Sequence, residues 1–240
     1  MIPARLESTR LPRKVLADLC GHPMLWHVWQ RASQARLVSQ VWVATDSAEV
    51  FDLVEGWGGR AVMTSPDCAS GTERIVSILA HLQGDLVLNV QGDEPLVDPG
   101  MLDGLVETCQ STGCKMATPV YAITRLEELL NPNIVKVVRS YGGCALYFSR
   151  SPIPFVRDLP QARWLEVTSF WGHVGVYAYR REVLEAYPDL TPSPLEQSER
   201  LEQLRFLEAG IDILTVETSY RPVAVDVETD LERVRRLCGC

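Results

Sequence analysis

The chain has 240 residues, a formal net charge of −8 at pH 7, 46% hydrophobic residues and 22% charged ones. Its pI near 5.1 excludes the broadly basic face that nucleic acid or an anionic membrane requires, and no apolar run approaches the roughly 20 residues of a membrane span. The length admits one core or a core with a subdomain. Seven cysteines, odd in number and without a C-x-x-C pair or a secretory leader, predict reduced thiols in the cytoplasm, with Cys238-Gly-Cys240 as a frayed tail.

Arg5, Arg10, Arg13 and Lys14 crowd into one early segment, Arg5-Leu-Glu-Ser-Thr-Arg-Leu-Pro-Arg-Lys14, against the acid Glu7. Cations so placed in an acidic protein repel one another unless an anion sits among them. Forked guanidinium donors, an ammonium and the hydroxyls of Ser8 and Thr9 suit a polyphosphate, and Pro12 stiffens the turn. A solvated basic loop is the bland alternative.

Residues 41–45 read as a short buried strand. Asp46-Ser-Ala-Glu49 then has the form of a capping box, opening a helix that ends at Gly56. Gly58-Gly59 leads to a strand at 61–63. Ser70-Gly-Thr-Glu73 is a second capping box, for a helix through Leu82. Residues 86–90, apolar except for Asn89, suit the interior of a parallel sheet. A helix at 99–109 and a strand at 116–121 continue an alternation that predicts an α/β doubly wound sheet.

From about 131 to 190 the rhythm changes. Strands at 134–138 and 145–148 flank Gly142-Gly143 and should pair antiparallel; another strand is expected at 173–179. Ser193-Pro-Leu-Glu196 is a third capping box with Pro194 at the first helical position, and its helix turns Leu201, Leu204 and Leu207 inward. A last strand at 223–225 and a helix at 231–237 close the chain.

Asp46, Asp93 and Asp226 fall at the carboxyl ends of the strands at 41–45, 86–90 and 223–225, where open α/β sheets bind ligands. Two carboxylates with substrate phosphates form the usual Mg²⁺ site. Asp46 serves equally well as a helix cap. Asp93, between Gly92 and Glu94-Pro95, suits a cap poorly, and Asp226 precedes a helix whose own box would be Thr229-Asp-Leu-Glu232. Asp93 and Asp226 are therefore the expected metal pair. The chain has no G-x-x-x-x-G-K-[ST], and Glu55-Gly-Trp-Gly-Gly59 does not match the dinucleotide fingerprint. A basic loop with carboxylates at strand ends points instead to nucleotidyl transfer.

Several blocks are recognisable in order: Ile2-Pro-Ala-Arg5, Ser8-Thr-Arg-Leu-Pro12 with Lys14, Ala44-Thr-Asp46, Ser70-Gly-Thr-Glu-Arg74 and Asn89-Val-Gln-Gly-Asp-Glu-Pro95. Later come Asn131-Pro-Asn133, Val135-Lys-Val137, Ala145-Leu-Tyr-Phe-Ser-Arg150, Ile153-Pro154, His173, Gly175, Tyr177, Tyr179, Ser193-Pro-Leu-Glu196, Leu201-Glu-Gln-Leu-Arg205 and Val225-Asp226. With these the chain resembles, over nearly its full length, the 3-deoxy-manno-octulosonate cytidylyltransferases, or CMP-Kdo synthetases.

The resemblance implies a single nucleotidyltransferase domain over 1–240, Rossmann-like and of the nucleotide-diphospho-sugar transferase type. Its sheet would be mostly parallel, with a smaller mixed subdomain at about 131–190 for sugar binding and dimerisation. It implies that CTP and Kdo give CMP-Kdo and diphosphate, with Mg²⁺, in a cytoplasmic homodimer that feeds lipopolysaccharide synthesis. The implied catalytic residues are Arg10, Lys14 and Asp93. The implied nucleotide contacts are Pro3, Ala4, Arg5, Ser8, Arg10, Lys14, Ala44, Thr45, Asp46, Ser70, Gly71, Gln91 and Gly92. Arg74, Gln91, Arg150, Arg157, His173, Tyr177, Glu202 and Gln203 would take the sugar acid, and Asp93 and Asp226 the metal. Read without the family, His173 is a core histidine and Glu202 and Gln203 are solvated helix positions. Tyr147, Phe148, Phe155, Trp164, Phe170 and Trp171 would serve an interface or a core.

Three departures stand out. The first strand is shorter than in relatives and should anchor the basic loop less firmly. Arg13 stands where glycine is familiar, and Val227-Glu228 replace Thr-Pro after Asp226. Two other readings share the loop and the acids: a cytidylyltransferase for another sugar acid (acylneuraminate or amino-Kdo), and a nucleotide-binding homologue without turnover.

Overall fold

The structure, a computed structural model, describes residues 1–8 and 10–240, so Thr9 of the basic segment lies outside the described residues. In chain order the strands are β1 (Ile2–Ala4), β2 (Asp18–Leu19), β3 (His22–Pro23), β4 (Trp42–Thr45), β5 (Arg60–Met63), β6 (Leu86–Asn89), β7 (Met116–Ile123), β8 (Lys136–Arg139), β9 (Ala145–Ser149), β10 (Phe170–His173), β11 (Tyr177–Arg180) and β12 (Ile213–Glu217). The helices are α1 (Met24–Ser33), α2 (Ala48–Gly56), α3 (Gly71–Ser77), α4 (Pro99–Thr112), α5 (Leu126–Leu130), α6 (Trp164–Val167), α7 (Arg181–Ala186), α8 (Pro194–Glu199), α9 (Gln203–Glu208) and α10 (Glu228–Cys238). The chain divides into two compact units, Met1–Val106 with Pro222–Cys240, and Glu107–Arg221.

The first unit is built on parallel strands. β4 pairs in parallel with β1 on one side and with β5 on the other. Val90 N–H donates to the Met1 carbonyl at 2.9 Å, and the Met1 ammonium donates to the Leu88 carbonyl at 2.8 Å, so β6 runs along the free edge of β1. Ile2, Val43 and Ala44 have no solvent exposure, as a parallel sheet covered by helices requires. The first strand, though only three residues long, is therefore bonded on both edges. The expected weak anchorage is not what the fold gives.

Helix starts follow the hydroxyl side chains. Ser70 Oγ accepts the Glu73 N–H at 3.1 Å, and Ser193 with Glu196 forms a complete capping box with Pro194 in the first turn. At Asp46 the expectation shifts by one residue: Ser47 is the N-cap of α2 and accepts from Val50 N–H, because the Asp46 carboxylate is drawn elsewhere. Likewise α10 is capped by Asp230, which accepts the N–H groups of Asp226 and Val227 at 3.0 and 3.1 Å, rather than by a box at Thr229. The strand expected at 223–225 forms no ladder among the described residues; Val225 N–H donates to the Asp93 carbonyl at 3.0 Å. The helix expected through Leu82 ends at Ser77 and continues as a 3₁₀ turn at Leu79–His81.

The cysteine expectation is corrected. Cys20 and Cys240 form a disulfide with Cα atoms 5.6 Å apart across 220 residues of sequence, while Cys68, Cys109, Cys114, Cys144 and Cys238 are thiols. The tail does not fray, because α10 docks on the β2–β3 turn. Leu231 and Val234 pack with Leu19, Met24 and Val225, and Arg235 donates to the Asp18 carbonyl at 2.8 Å. Spacing in sequence carries no sign of a pairing made by tertiary docking.

The second unit is wider than the expected 131–190, because β7 and β12 belong to it. β7 is its axis, pairing in parallel with β12 and antiparallel with β11 and β10 on the opposite edge. From β10 the sheet continues antiparallel through β8 to β9. Cys144 bridges Leu214 and Thr215 N–H donates to the Gly143 carbonyl at 2.9 Å, which brings β12 back to the start of β9. The single strand expected at 173–179 is two, broken where Val176 N–H turns back to the Val174 carbonyl at 2.7 Å. Gly172 has no room for a side chain, since a Cβ would collide with the Tyr121 ring. Phe148, Trp164 and Phe170 are buried in this unit's own core, with the last two rings stacked at 8°. Of the six aromatics considered for an interface, Phe155 is the large exposed one, at 76%. No helix among the described residues is long and apolar enough to cross a membrane.

Candidate nucleotide and metal site

The basic segment leaves β1 as a loop over the carboxyl ends of the first unit's strands. It ends in a 3₁₀ turn at Lys14–Leu16, which Arg13 enters in the left-handed conformation, φ 56°. That conformation explains why glycine suits this position. Arg13 also reaches Glu49 on α2 at 2.5 Å.

A cavity of about 220 Å³ lies beneath the loop. The expected nucleotide residues Pro3, Arg5, Ser8, Arg10, Lys14, Ser70, Gly71, Gln91 and Gly92 all line it. Two glycines sit at close approaches: a Cβ on Gly92 would stand 3.0 Å from the Pro3 carbonyl, and one on Gly71 3.2 Å from Pro3 Cγ. Ala4, Ala44 and Thr45 do not line the cavity; they are buried. Glu7, Val15, Cys68 and Ala69 line it unanticipated. Their signal was only adjacency to the basic loop and to the Ser70 cap.

Arg10 and Lys14 of the cavity lining meet Asp226, which does not line it, and Lys14 meets Asp93, which does. Lys14 Nζ donates to Asp93 Oδ2 at 2.7 Å and to Asp226 Oδ1 at 3.1 Å. Arg10 Nη2 donates to the same Asp226 oxygen at 2.8 Å. The Val225–Asp93 backbone bond brings the two aspartates, distant in sequence, side by side. Lys14 is largely shielded, with 14% of its side chain exposed.

Two carboxylates that converge on one ammonium are hard oxygen donors aimed at a common point, which is the donor chemistry of Mg²⁺. No group of three or more His, Cys, Asp or Glu side chains suited to a metal occurs among the described residues. A cation here would take the rest of its coordination from phosphate and water, as Mg²⁺ does in nucleotide sites.

Arg74 also lines the cavity, whereas Asp46 does not. Arg74 is buried, and its Nη2 donates to Asp46 Oδ2 at 2.9 Å. The other Asp46 oxygen accepts the Leu6 N–H at 3.2 Å.

The remaining sugar candidates belong to the second unit. Arg150 is engaged with the carbonyls of Glu199, Pro132 and Arg200. Arg157 is exposed beside Asp158. His173 Nε2 meets Thr118 Oγ1 at 2.9 Å, and burial lowers its pKa to about 3, so it is neutral near pH 7. Burial drives the Tyr177 hydroxyl well above its ordinary range. Glu202 accepts the Tyr187 hydroxyl at 2.7 Å. Gln203 is buried, and its Nε2 has no hydrogen-bond partner among the described residues, so neither residue is the solvated position that sequence alone suggested.

The chain matches the model of a protein family described as cytidylyltransferase over residues 1–213. Curated relatives described as 3-deoxy-manno-octulosonate cytidylyltransferase include one from Geobacter sulfurreducens, 45% identical over 98% of this chain and 96% of its own. Another, from Myxococcus xanthus, is 47% identical over 99% of this chain and 94% of its own. A solved structure of CMP:2-keto-3-deoxy-manno-octonic acid synthetase complexed with CTP is 44% identical, with a TM-score of 0.92 over 99% of this chain and 96% of that one. A cytidylyltransferase from Leptospira borgpetersenii, 15% identical with a TM-score of 0.63 over 98% of this chain and 83% of that one, shares the fold.

Proposed function

The chain belongs to the cytidylyltransferase family, and from that premise we infer that it transfers CMP from CTP to 3-deoxy-D-manno-octulosonate, releasing diphosphate. The product is the activated sugar acid used for lipopolysaccharide. The observation that carries the reading is the convergence of Lys14 on Asp93 and Asp226, with Arg10 also on Asp226, beside a cavity lined by the basic loop.

The anomeric 2-hydroxyl of the sugar acid attacks the α-phosphorus in line. A P–O bond forms to the sugar as the bond to the β-phosphate oxygen breaks; the hydroxyl proton goes to solvent and diphosphate departs. Such chemistry asks for positioning and charge neutralisation. Arg10 and Lys14 supply cationic donors to the triphosphate and to the leaving diphosphate. Arg5 and Ser8 add donors from the same loop, and Gly71 and Gly92 let their backbone pack close against Pro3. Asp93 and Asp226 would hold Mg²⁺, which when bound neutralises phosphate charge.

For the sugar acid, the Gln91 and Gln203 amides suit hydroxyls, and the exposed Arg157 guanidinium suits the carboxylate. Neutral His173 and Tyr177 offer uncharged hydrogen-bonding groups. We place the reaction in the cytoplasm, where CTP is made. We further propose a homodimer through the second unit, whose exposed Leu146, Phe155 and Val167 are apolar surface that association would cover.

The test is diphosphate release from CTP and Mg²⁺ with the sugar acid varied. Turnover that requires Kdo and is slower with acylneuraminate supports the reading. Preference for acylneuraminate would move the enzyme to another sugar acid, and nucleotide binding without turnover on either would make it a dead homologue.

A further inference from the structure

Arg74 leaves α3 one turn beyond the Ser70 cap and is almost wholly buried, with 3% of its side chain exposed. Besides Asp46, its guanidinium bonds the Thr64 hydroxyl and the Ser65 carbonyl through Nη1. Thr64 and Ser65 follow β5, and Asp46 follows β4. One guanidinium therefore ties the ends of two strands to the helix that carries Ser70 and Gly71. Through Asp46 Oδ1 the tie extends to the Leu6 N–H, at the root of the loop that bears Arg10 and Lys14. Both Asp46 oxygens and both Arg74 amino groups are taken by these partners, and the charges of the two side chains cancel locally. A carboxylate near a triphosphate would otherwise repel it.

We propose that Asp46 and Arg74 are a positioning pair for the nucleotide. The pair fixes where the basic loop departs from β1, and hence where Arg10 and Lys14 meet the triphosphate; neither side chain binds the sugar acid. This rests on the reading that the loop holds the triphosphate of CTP.

Asp46→Asn keeps an acceptor for Leu6 and removes the charge. Arg74→Lys keeps the charge and removes the fork. The measurements are CTP binding by calorimetry, and kinetics with CTP and Kdo varied separately. Each variant should lower kcat/KM for CTP by about 10- to 100-fold, the scale of a displaced binding group, with KM for Kdo within about 2-fold. The double variant should be little worse than either single one, because the two act as one unit.

A rise in KM for Kdo confined to Arg74→Lys would make Arg74 a sugar ligand and overturn the pair, as would effects that multiply in the double variant. Should Arg74→Lys fail to fold on thermal melting, Thr64→Val loosens the same guanidinium. It should weaken CTP binding in the same direction as Asp46→Asn, and wild-type binding in both would overturn the proposal. If the wild-type protein itself bound no CTP, the functional reading would fall and the pair's role with it. Wild-type binding with an indifferent Asp46→Asn would remove the pair alone.

Discussion

Lys14 Nζ stands 2.7 Å from Asp93 Oδ2, and the same ammonium bonds Asp226. The cation that should meet phosphate and the acids that should meet a divalent ion thus hold one another. On the proposed reading, a divalent ion and Lys14 would compete for the same oxygens, and a triphosphate would relieve the competition by giving the ammonium another partner.

Lys14→Met should therefore tighten divalent-ion binding to the nucleotide-free protein, by about 10-fold if roughly 1.4 kcal/mol of attraction is released. The same variant should lose about 100-fold or more in turnover, as expected for a missing transition-state donor. Mn²⁺ titration followed by electron paramagnetic resonance reads the first effect. Unchanged or weaker affinity would show that the lysine and the ion do not compete.

Asp93→Ala should lose at least about 100-fold in turnover while keeping its fold. The tie to Val225 is made by the Asp93 backbone carbonyl, which the substitution leaves in place. Diphosphate release and a melting curve together check this. Wild-type turnover would remove Asp93 from the metal pair.

His173 sets an acid limit on stability. Its pKa falls from 6.5 to about 3 on burial, so at pH 7 it is neutral folded or unfolded. Below pH 6.5 the unfolded chain takes up a proton that the native protein refuses, and stability is lost progressively as pH falls toward 3. His173→Gln removes this slope. Urea midpoints between pH 7 and pH 4 should fall more steeply for wild type than for the variant, and parallel curves would mean that native His173 protonates freely.

Reduction should destabilise the first unit through its tail. Closing a loop across 220 residues stabilises by at most about 5 kcal/mol on chain-entropy grounds. Dithiothreitol should lower the melting temperature by several degrees, and Cys240→Ser should start at that lower value and ignore the reductant. A reductant-independent wild type would show that the docking of α10 suffices without the bond.

What could be read in advance was local. Ser70 and Ser193 declare their helices because a hydroxyl, a turn and an acid three residues on are neighbours in sequence. The basic loop was legible because repulsion among its cations is a sequence-level fact. Asp46 misled because its carboxylate goes to Arg74, 28 residues away, leaving Ser47 to cap α2. Residues 223–225 have strand composition but form no ladder among the described residues. The α1 helix was overlooked although Met24, Leu25, Val28 and Ala32 mark its buried face, and β12 lacked any nearby partner to signal it. The pairing of Cys20 with Cys240 rests on the packing of α10 against Leu19 and Met24, which no spacing rule anticipates.

The bond from Val225 N–H to the Asp93 carbonyl also orders events in time. Asp93 is made early on the ribosome, but Asp226 and the helix that seats it follow the whole of Glu107–Arg221. A nascent chain can close the parallel strands β1, β4, β5 and β6 and present Lys14 to a single carboxylate long before the second acid emerges. If Asp226 holds the metal as proposed, catalytic competence comes last, as the carboxyl-terminal segment returns to the first unit. On the proposed reading, a chain released short of Asp226 would carry the residues that line the cavity but only one of the two carboxylates proposed to hold the metal.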